Sequence, residues 1–225
     1  AGLAHVRDGA LISAKTIPKA IEGSLKRLQT DYIDLYQFHW PNRGSYMFRQ
    51  NWDFDPSGQN KADTLAHMEE ALEVLQKEVD KGRIRAFGLS NESTWGTAQW
   101  VRMSEVKGGP RVASIQNEYS LLCRMADTDL AELCVNEDVG ILAFSPLATG
   151  LLTGKYQNGV TPDGSRKAIN GDLGGRVSLR VFDAVQAYLD IADKHGLDSV
   201  HMAMAFTVPR PVLCSSRFSR TPGEP

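Results

Sequence analysis

The sequence predicts an α/β protein in which parallel strands alternate with helices, and two observations support that fold class. Short apolar runs alternate with longer segments whose apolar residues recur at helical spacing. Such alternation implies parallel strands joined by right-handed crossovers, because a tight turn can join only antiparallel strands. Each apolar run also ends in a polar or otherwise unexpected side chain, and parallel strands gather such ends at one edge. Two architectures fit: an open doubly wound sheet and a closed eight-stranded barrel.

Six runs have the length and composition of strands, and each is followed by a turn signal or a helical pattern. They are ALISAK (10–15), IDLYQFH (33–39), RIRAFGLS (83–90), RVASIQN (111–117), VGILAFS (139–145) and VLCSS (212–216).

The intervening segments predict helices. The first covers TIPKAIEGSLKRLQ, with Pro18 near its start and Leu25 on its apolar face. A polar, aromatic-rich loop from 41 to about 60 leads to a long amphipathic helix that Gly82 ends. Further helices are expected over 93–106, 126–138, 178–195 and 198–207, and a Gly-rich loop follows the fifth strand as far as Gly175.

The barrel is the better of the two architectures. No GxGxxG follows any strand, which counts against a dinucleotide-binding open sheet. GLLTGKY (150–156) misses the phosphate-loop pattern by one spacer residue and has no Ser or Thr after its lysine. We therefore expect an incomplete (β/α)8 TIM barrel, with about strands 3 to 8 present, as a single domain over 1–225. Residues 217–225 are expected to form a disordered tail.

Composition narrows the function classes. The chain has 225 residues, 42% of them hydrophobic, and a formal net charge of −2. No basic excess indicates nucleic acid or an anionic membrane, and no apolar run approaches the roughly 20 residues that span a bilayer. The three cysteines form no CxxC pair and suit a reducing cytoplasm, and the five scattered histidines do not predict a metal site. The oligomeric state stays open.

The strand ends supply the candidate site. Because the carboxyl ends of barrel strands meet at one rim, residues far apart in sequence become neighbours there. Side-chain alternation puts His39 on the same face as Gln37 and Tyr36 on the other. The end residues are Lys15, His39, Ser90 with Asn91, Gln116 with Asn117, and Phe144 with Ser145.

Five ordered motifs resemble one family. LISAKT, SLKRLQTDYIDLYQFHWP, GRIRAFGLSN, IQNEYSLLCR and ILAFSPLATGLLTGKY are similar to the aldo-keto reductase superfamily. The resemblance is strongest to its bacterial Tas-like NADP(H)-dependent branch, which is related to potassium-channel beta subunits. It covers about residues 10 to 208.

The resemblance implies a metal-free hydride transfer from NADP(H) to a small-molecule aldehyde or ketone. It implies that Lys15 tunes a catalytic tyrosine and that His39 orients the substrate carbonyl. Independently of the resemblance, the aromatic residues of the loop from Trp40 to Phe54, Trp40 and Trp52 among them, predict an apolar wall for the substrate, and the alternative is that these rings cap the barrel rim structurally. The cofactor-binding positions that the resemblance implies are Ser90, Asn91, Gln116, Phe144, Ser145, Pro146, Leu147, Ala148, Thr149, Lys155 and Arg166.

The chain departs from the family pattern in ways that bear on activity. The family's catalytic tyrosine and aspartate precede the lysine segment, and its second phosphate-binding cluster follows the eighth strand. Neither has a counterpart in the sequence, so we expect a truncated and inactive fragment. Unpaired strand edges beside Lys15 and near the C-terminus would favour aggregation or pairing with another chain.

Two other functions stay open. A nucleotide-sensing regulatory subunit of the channel beta-subunit type is the alternative from another class, but those subunits carry asparagine where this chain has His39. An unrelated barrel enzyme that shares only the fold is the third. NADPH binding that depends on Ser90 and Gln116 would separate the first two from the third.

Overall fold

A computed structural model describes residues 9–208 and the backbone of residues 213–217. Its strands are β1 (Ile33–Gln37), β2 (Ile84–Ser90), β3 (Val112–Glu118), β4 (Gly140–Phe144) and β5 (Leu213–Arg217). Its helices are α1 (Thr16–Leu28), α2 (Lys61–Asp80), α3 (Thr94–Lys107), α4 (Asp129–Asn136), α5 (Arg166–Ile169), α6 (Val181–Lys194) and α7 (Ser199–Thr207).

The strands form one parallel sheet in the order β1-β2-β3-β4-β5. Right-handed crossovers between strands that follow one another in this order carry every connecting helix to the same face. A doubly wound sheet would reverse its strand order at a switch point, and the described strands show no reversal. The arrangement is therefore a barrel arc, as predicted, and all five strands expected from residue 33 onward are present.

The first expected strand, over 10–15, is wrong. Asn42 takes both backbone polar groups of Ile12: its Oδ1 accepts from the Ile12 N–H at 2.9 Å and its Nδ2 donates to the Ile12 carbonyl at 2.8 Å. Thr16 Oγ1 accepts from the Ser13 N–H and donates to the Leu11 carbonyl. These side chains satisfy the backbone groups that a sheet ladder would otherwise bond, so the segment forms a turn that leads into α1.

The principal core lies between the sheet and the helices. Phe87 of β2, Ile115 of β3 and Ile141 of β4 alternate with residues of the opposite face, and all three are buried. Leu72 of α2 and Trp100 of α3 pack into the same core, and each is almost fully buried. This packing fixes the orientation of each strand and so determines which side chains reach its carboxyl end.

The opposite face of the sheet would be the interior of a closed barrel. Gln37, Gly88 and Ser114 are aligned across β1, β2 and β3 there. A Cβ on Gly88 would lie 2.7 Å from Ser114 Oγ and 3.1 Å from Gln37 Cγ, so only glycine fits. The small residue lets the neighbouring strands keep their polar side chains on this face.

A second apolar cluster anchors the long loop after β4. Leu151, Leu152 and Tyr156 of the loop pack with Val185 of α6 and Ala203 of α7. The expected helices are present, although α6 begins at Val181 rather than at 178 and a 3₁₀ turn, Met125–Asp127, precedes α4. None of the helices in the described ranges is both long and apolar enough to cross a membrane. Residues 218–225 of the expected tail lie outside the described residues.

Candidate active site

A cleft of about 700 Å³ opens at the carboxyl ends of β3 and β4. We call it the rim cleft. Its walls come from the loop after β1, the ends of β3 and β4, and the loop after β4. It is lined by Phe48, Arg49, Gln116, Phe144, Ser145, Thr149, Arg166, Asn170, Asp172, Leu173, Gly174, Gly175 and Arg176. Five of the predicted cofactor-binding residues are therefore in one cavity.

Gln116 and Phe144 lie on neighbouring strands at the floor of the rim cleft. Gln116 pairs with Leu142, and Glu118 pairs with Phe144, in the parallel register of β3 and β4. Both Gln116 and Phe144 are half-buried, and the Gln116 side-chain amide bonds to no other group in the described part of the chain. An amide with free donors and acceptors beside an aromatic ring can bind a flat polar molecule.

Phe48 joins the two sides of the rim. Its ring centroid is 6.5 Å from that of His39 and 6.1 Å from that of Phe144, and it stacks on Trp40 at 5.3 Å. His39 is exposed and does not itself line the rim cleft; it neighbours the cleft through the Phe48 ring. Phe48 has a φ of 57°, which is strained for a bulky residue. The loop after β1 is thus held in a specific conformation over the cleft.

The loop after β4 turns sharply at the rim. Ser145, Ala148 and Thr149 all have left-handed φ values, of 54°, 48° and 57°. Backbone strain of this kind at non-glycine residues is often found at functional sites. Pro146 and Ala148 are buried and Leu147 packs on the second apolar cluster, so these three support the loop while Ser145 and Thr149 line the cleft.

Ser90 and Asn91 form a hydrogen-bonded group at the end of β2. The Ser90 hydroxyl donates to the Gln116 carbonyl at 2.8 Å, and Asn91 Nδ2 donates to the His39 carbonyl at 2.9 Å and to Ser90 Oγ at 3.1 Å. Asn91 Oδ1 is buried without a hydrogen-bond partner. These bonds connect the backbones behind His39 and Gln116, and the side-chain oxygen of Asn91, Oδ1, is a candidate acceptor for a ligand.

Lys15 is the N-cap residue of α1, and its side chain is exposed. It follows Ile12 by three residues, and Asn42, which bonds Ile12, follows His39 by three residues. The segments that carry Lys15 and His39 therefore run side by side at the carboxyl end of β1. Its predicted role in tuning a tyrosine stays a prediction.

The two basic residues predicted to reach cofactor phosphates differ in position. Arg166 lines the rim cleft as the first residue of α5, and its side chain is exposed. Lys155 is half-buried outside the lining, with its Nζ 5.4 Å from the centre of the Tyr156 ring. Arg166 is thus already at the cavity wall, whereas Lys155 borders the second apolar cluster.

Sequence reasoning missed a charged network in the wall of the rim cleft. Arg176 binds the buried Glu118 in a fork, through Nε to Oε1 and Nη2 to Oε2, each at 2.9 Å. Arg49 Nη2 also donates to Glu118 Oε1, at 3.0 Å. Glu118 could have been predicted as a site residue from the sequence, because it follows Gln116 on the same face of β3. Arg49 and Arg176 lie in loops without regular spacing, where no periodic signal exists.

A second cavity, of about 610 Å³, lies behind the loop after β1, and we call it the loop cavity. Trp40, His67, Met68, Ser90 and Trp100 are among its lining residues. Trp40 is buried and Ser90 faces this cavity rather than the rim cleft. Trp52, the other predicted substrate residue, is 89% exposed and lines neither cavity.

The Aldo/keto reductase family model matches residues 6–219, and the chain therefore belongs to that family. It is 39% identical to Protein tas of Escherichia coli over 219 residues, which cover 96% of this chain and 61% of that protein. It is 36% identical to an aldo-keto reductase of Babesia bovis, covering 95% of this chain and 79% of that one. The chain thus spans about three fifths of the length of Protein tas.

Two further comparisons concern a regulator and the fold. The chain is 30% identical to a probable voltage-gated potassium channel subunit beta of Arabidopsis thaliana, covering 91% of this chain and 57% of that one. The solved structure of a glycerol dehydrogenase from Gluconobacter oxydans superposes with a TM-score of 0.66 at 24% identity, over 94% of this chain and 57% of that one. This likeness bears on the fold alone and agrees with the barrel arc.

Proposed function

We propose that the rim cleft binds NADP(H) and that the protein is an oxidoreductase acting on small-molecule aldehydes and ketones. The observation that carries this proposal is the meeting of Gln116, Phe144, Ser145, Thr149 and Arg166 in one cavity, with His39 beside it. When bound, the cofactor supplies the hydride that reduces the carbonyl carbon.

The polar end of the nicotinamide would lie against β2 and β3. The Gln116 amide can donate to its carboxamide oxygen, and the unpartnered Asn91 Oδ1 can accept from its NH₂ group. Ser90 supports both by bonding the Gln116 carbonyl and receiving the Asn91 amide. The Phe144 ring would stack on the nicotinamide and so determine which of its faces meets the substrate.

The phosphate end of the cofactor would lie along the loop after β4. Arg166 supplies a guanidinium that can bind a phosphate in a fork, and Thr149 supplies a hydroxyl in the same wall. Ser145, Pro146, Leu147 and Ala148 would hold the strained loop in place. Lys155 adds a positive charge nearby, and these basic residues favour NADP(H) over NAD(H).

His39 would donate a hydrogen bond to the carbonyl oxygen and stabilise its growing negative charge. Lys15 would favour the ionised form of a neighbouring tyrosine. In the sequence the first tyrosine is Tyr32, after Lys15, whereas the family's catalytic tyrosine precedes the lysine. We therefore propose that the 225-residue chain alone binds cofactor without turnover. Trp40 would act on the substrate only through Phe48, on which it stacks, and Trp52 lines neither cavity.

The alternative function is a nucleotide-sensing regulatory subunit, which the likeness to the Arabidopsis channel subunit supports. Both functions use the same cofactor cleft, and the histidine at position 39 favours the reductase. The buried Cys123 forms no disulfide, which supports a reducing, cytoplasmic location. Burial raises the pKa of Cys123, which keeps that thiol protonated and unreactive.

The test is a titration of tryptophan fluorescence with NADPH. We expect saturable quenching in the wild-type chain and affinity about tenfold weaker or worse in the S90A/Q116A double variant, because the carboxamide contacts are lost. Q76A, which removes a half-buried glutamine of α2 that lines neither cavity, is the matched control and should bind like wild type. Equal affinity in the double variant, or no saturable quenching in wild type, would refute the proposal.

A further inference from the structure

The Arg49–Glu118–Arg176 network carries a charge imbalance. Glu118 is 3% exposed in its side chain, and two guanidinium groups bind its single carboxylate. The rim cleft is also lined by one further arginine, Arg166, and one further carboxylate, that of Asp172. Three arginines against two carboxylates leave one positive charge in the wall of the cleft. Such a surplus attracts an anion into a partly enclosed site.

The two arginines of this network differ in the donors they have left. Arg176 is buried and uses Nε and Nη2 on Glu118 and Nη1 on the Leu173 carbonyl, at 2.8 Å. Arg49 is 25% exposed in its side chain and bonds Glu118 through Nη2 alone. Its Nε has no hydrogen-bond partner. Because Nε is buried, the donors of Arg49 that a ligand can reach are those of Nη1, which makes no hydrogen bond with the described residues.

Arg49 also lies at the end of the cleft where a substrate would bind. It follows Phe48, whose ring borders both His39 and Phe144. Arg166 and Thr149, by contrast, belong to the loop after β4. Arg49 also packs against Gly175 of that loop, where a Cβ would lie 3.1 Å from Arg49 Cβ. The spare positive charge therefore lies where the loop after β1 meets the loop after β4, and it follows in sequence the ring that borders the predicted carbonyl position.

We infer that Arg49 is a specificity-determining residue that binds a carboxylate on the substrate. The inference rests on the proposed function for the reaction itself and adds the substrate class: aldehydes or ketones that carry a carboxylate group. Glu118 positions Arg49 by accepting a hydrogen bond from its Nη2, and Arg176 in turn holds Glu118 in place. The aromatic wall of Phe48 and Phe144 suits a flat body between the carbonyl and the carboxylate.

The experiment uses two alcohols of the proposed product type, because alcohols, unlike aldehydes, do not react with lysine side chains. They are 4-(hydroxymethyl)benzoate and 4-(hydroxymethyl)benzamide, which differ only in the carboxylate. Ligand-observed NMR titrations of the full chain, with and without NADP⁺, give their affinities. We expect the wild type to bind the benzoate about tenfold tighter, because a charge-assisted bond to a guanidinium is lost in the amide.

The variants assign this preference to a residue. R49Q should bind both compounds equally, and R49K should keep much of the preference because it keeps the charge. R166Q should weaken NADPH binding and leave the preference unchanged. A wild type that does not distinguish the two compounds overturns the inference, as does a preference that survives in R49Q or disappears equally in R49K.

The NADPH-binding measurements distinguish a failure of this inference from a failure of the proposed function. If R49Q weakens NADPH binding instead, Arg49 holds a cofactor phosphate and the inference is wrong. If wild type binds no NADPH but prefers the benzoate through Arg49, the inference about the anion stands and the proposed cofactor site fails. Thermal melts of each variant show whether a loss of binding reflects unfolding.

Discussion

Two arginine–glutamate groups connect the loop after β1 to the sheet, and they differ in balance. Arg43 binds Glu92 with both Nη atoms, one arginine to one glutamate, and their side chains are 11% and 2% exposed. Glu118 instead binds two arginines, and one of them, Arg49, is 25% exposed with donors to spare. The first group is closed and neutral, whereas the second is open and positive.

The difference implies that the Arg43–Glu92 group supports the fold, whereas Arg49 of the second group is available to bind a ligand. The Glu92 carboxylate also accepts from the Ser93 N–H at 2.7 Å, and the Asn117 amide donates to the Glu92 carbonyl at 3.0 Å, so this group fixes the ends of β2 and β3. Arg176 binds both carboxylate oxygens of Glu118 and would still hold it without Arg49, so Arg49 is replaceable in structure but not in charge. A buried balanced pair contributes to the fold, and an exposed surplus charge is available to a ligand.

The largest expected effect comes from comparing R43Q with R49Q. Loss of Arg43 leaves Glu92 buried and without its charged partner, so R43Q should lower the free energy of unfolding by about 3 kcal/mol. R49Q should lower it by less than about 1 kcal/mol, because Arg176 still binds Glu118 and Arg49 is partly solvated. Urea denaturation measures both. Equal losses would contradict the division into support and recognition.

A smaller effect is expected from G96A. A Cβ at Gly96, in the first turns of α3, would overlap both Arg43 Nη2 and the Glu92 carboxylate. The overlap should lower the free energy of unfolding by about 1–3 kcal/mol. G58A is the matched control, since a Cβ there meets no atom within 4 Å. If the two alanine variants melt alike, the Arg43–Glu92 group is not packed as described.

The smallest effect concerns pH, through His67 beside the loop cavity. Burial lowers the pKa of His67, Glu70 opposes this shift, and Arg43 adds to it. The unfolded chain therefore takes up a proton first, near its ordinary pKa of about 6.5. Stability from neutral His67 is present above that pH and is lost as the pH falls through the folded-state value. H67Q should flatten the decline in unfolding free energy between pH 7.5 and 5.5. An identical decline in H67Q would exclude His67 as its source.

The sequence predicts the regular part of the fold well, for a physical reason. Strands such as Ile84–Ser90 and helices such as Thr94–Lys107 bury one face, and that burial leaves a periodic apolar pattern. The strand predicted over 10–15 is wrong because an apolar run does not by itself supply the neighbouring strand with which it would pair. There the Asn42 side-chain amide bonds the backbone in place of a neighbouring strand. No local sequence pattern indicates a contact between residues so far apart in the sequence.

Only the site residues that lie at the ends of strands could be predicted from the sequence. Gln116 and Phe144 are strand-end residues, so alternation and parallel order were enough to bring them together at the rim cleft. Arg49 and Arg176 depend on loop conformations with left-handed residues, which long-range packing imposes. Trp52 was expected beside the substrate from its place in an aromatic loop, but it is exposed because loop position alone does not determine direction.

The most direct test of the central claim is a crystal structure of the chain grown with NADP⁺. We predict that the nicotinamide stacks on Phe144, with its carboxamide within hydrogen-bond distance of the Gln116 amide and its phosphates toward Arg166. A fully occupied cofactor in the loop cavity, or anywhere else outside the rim cleft, would contradict the account.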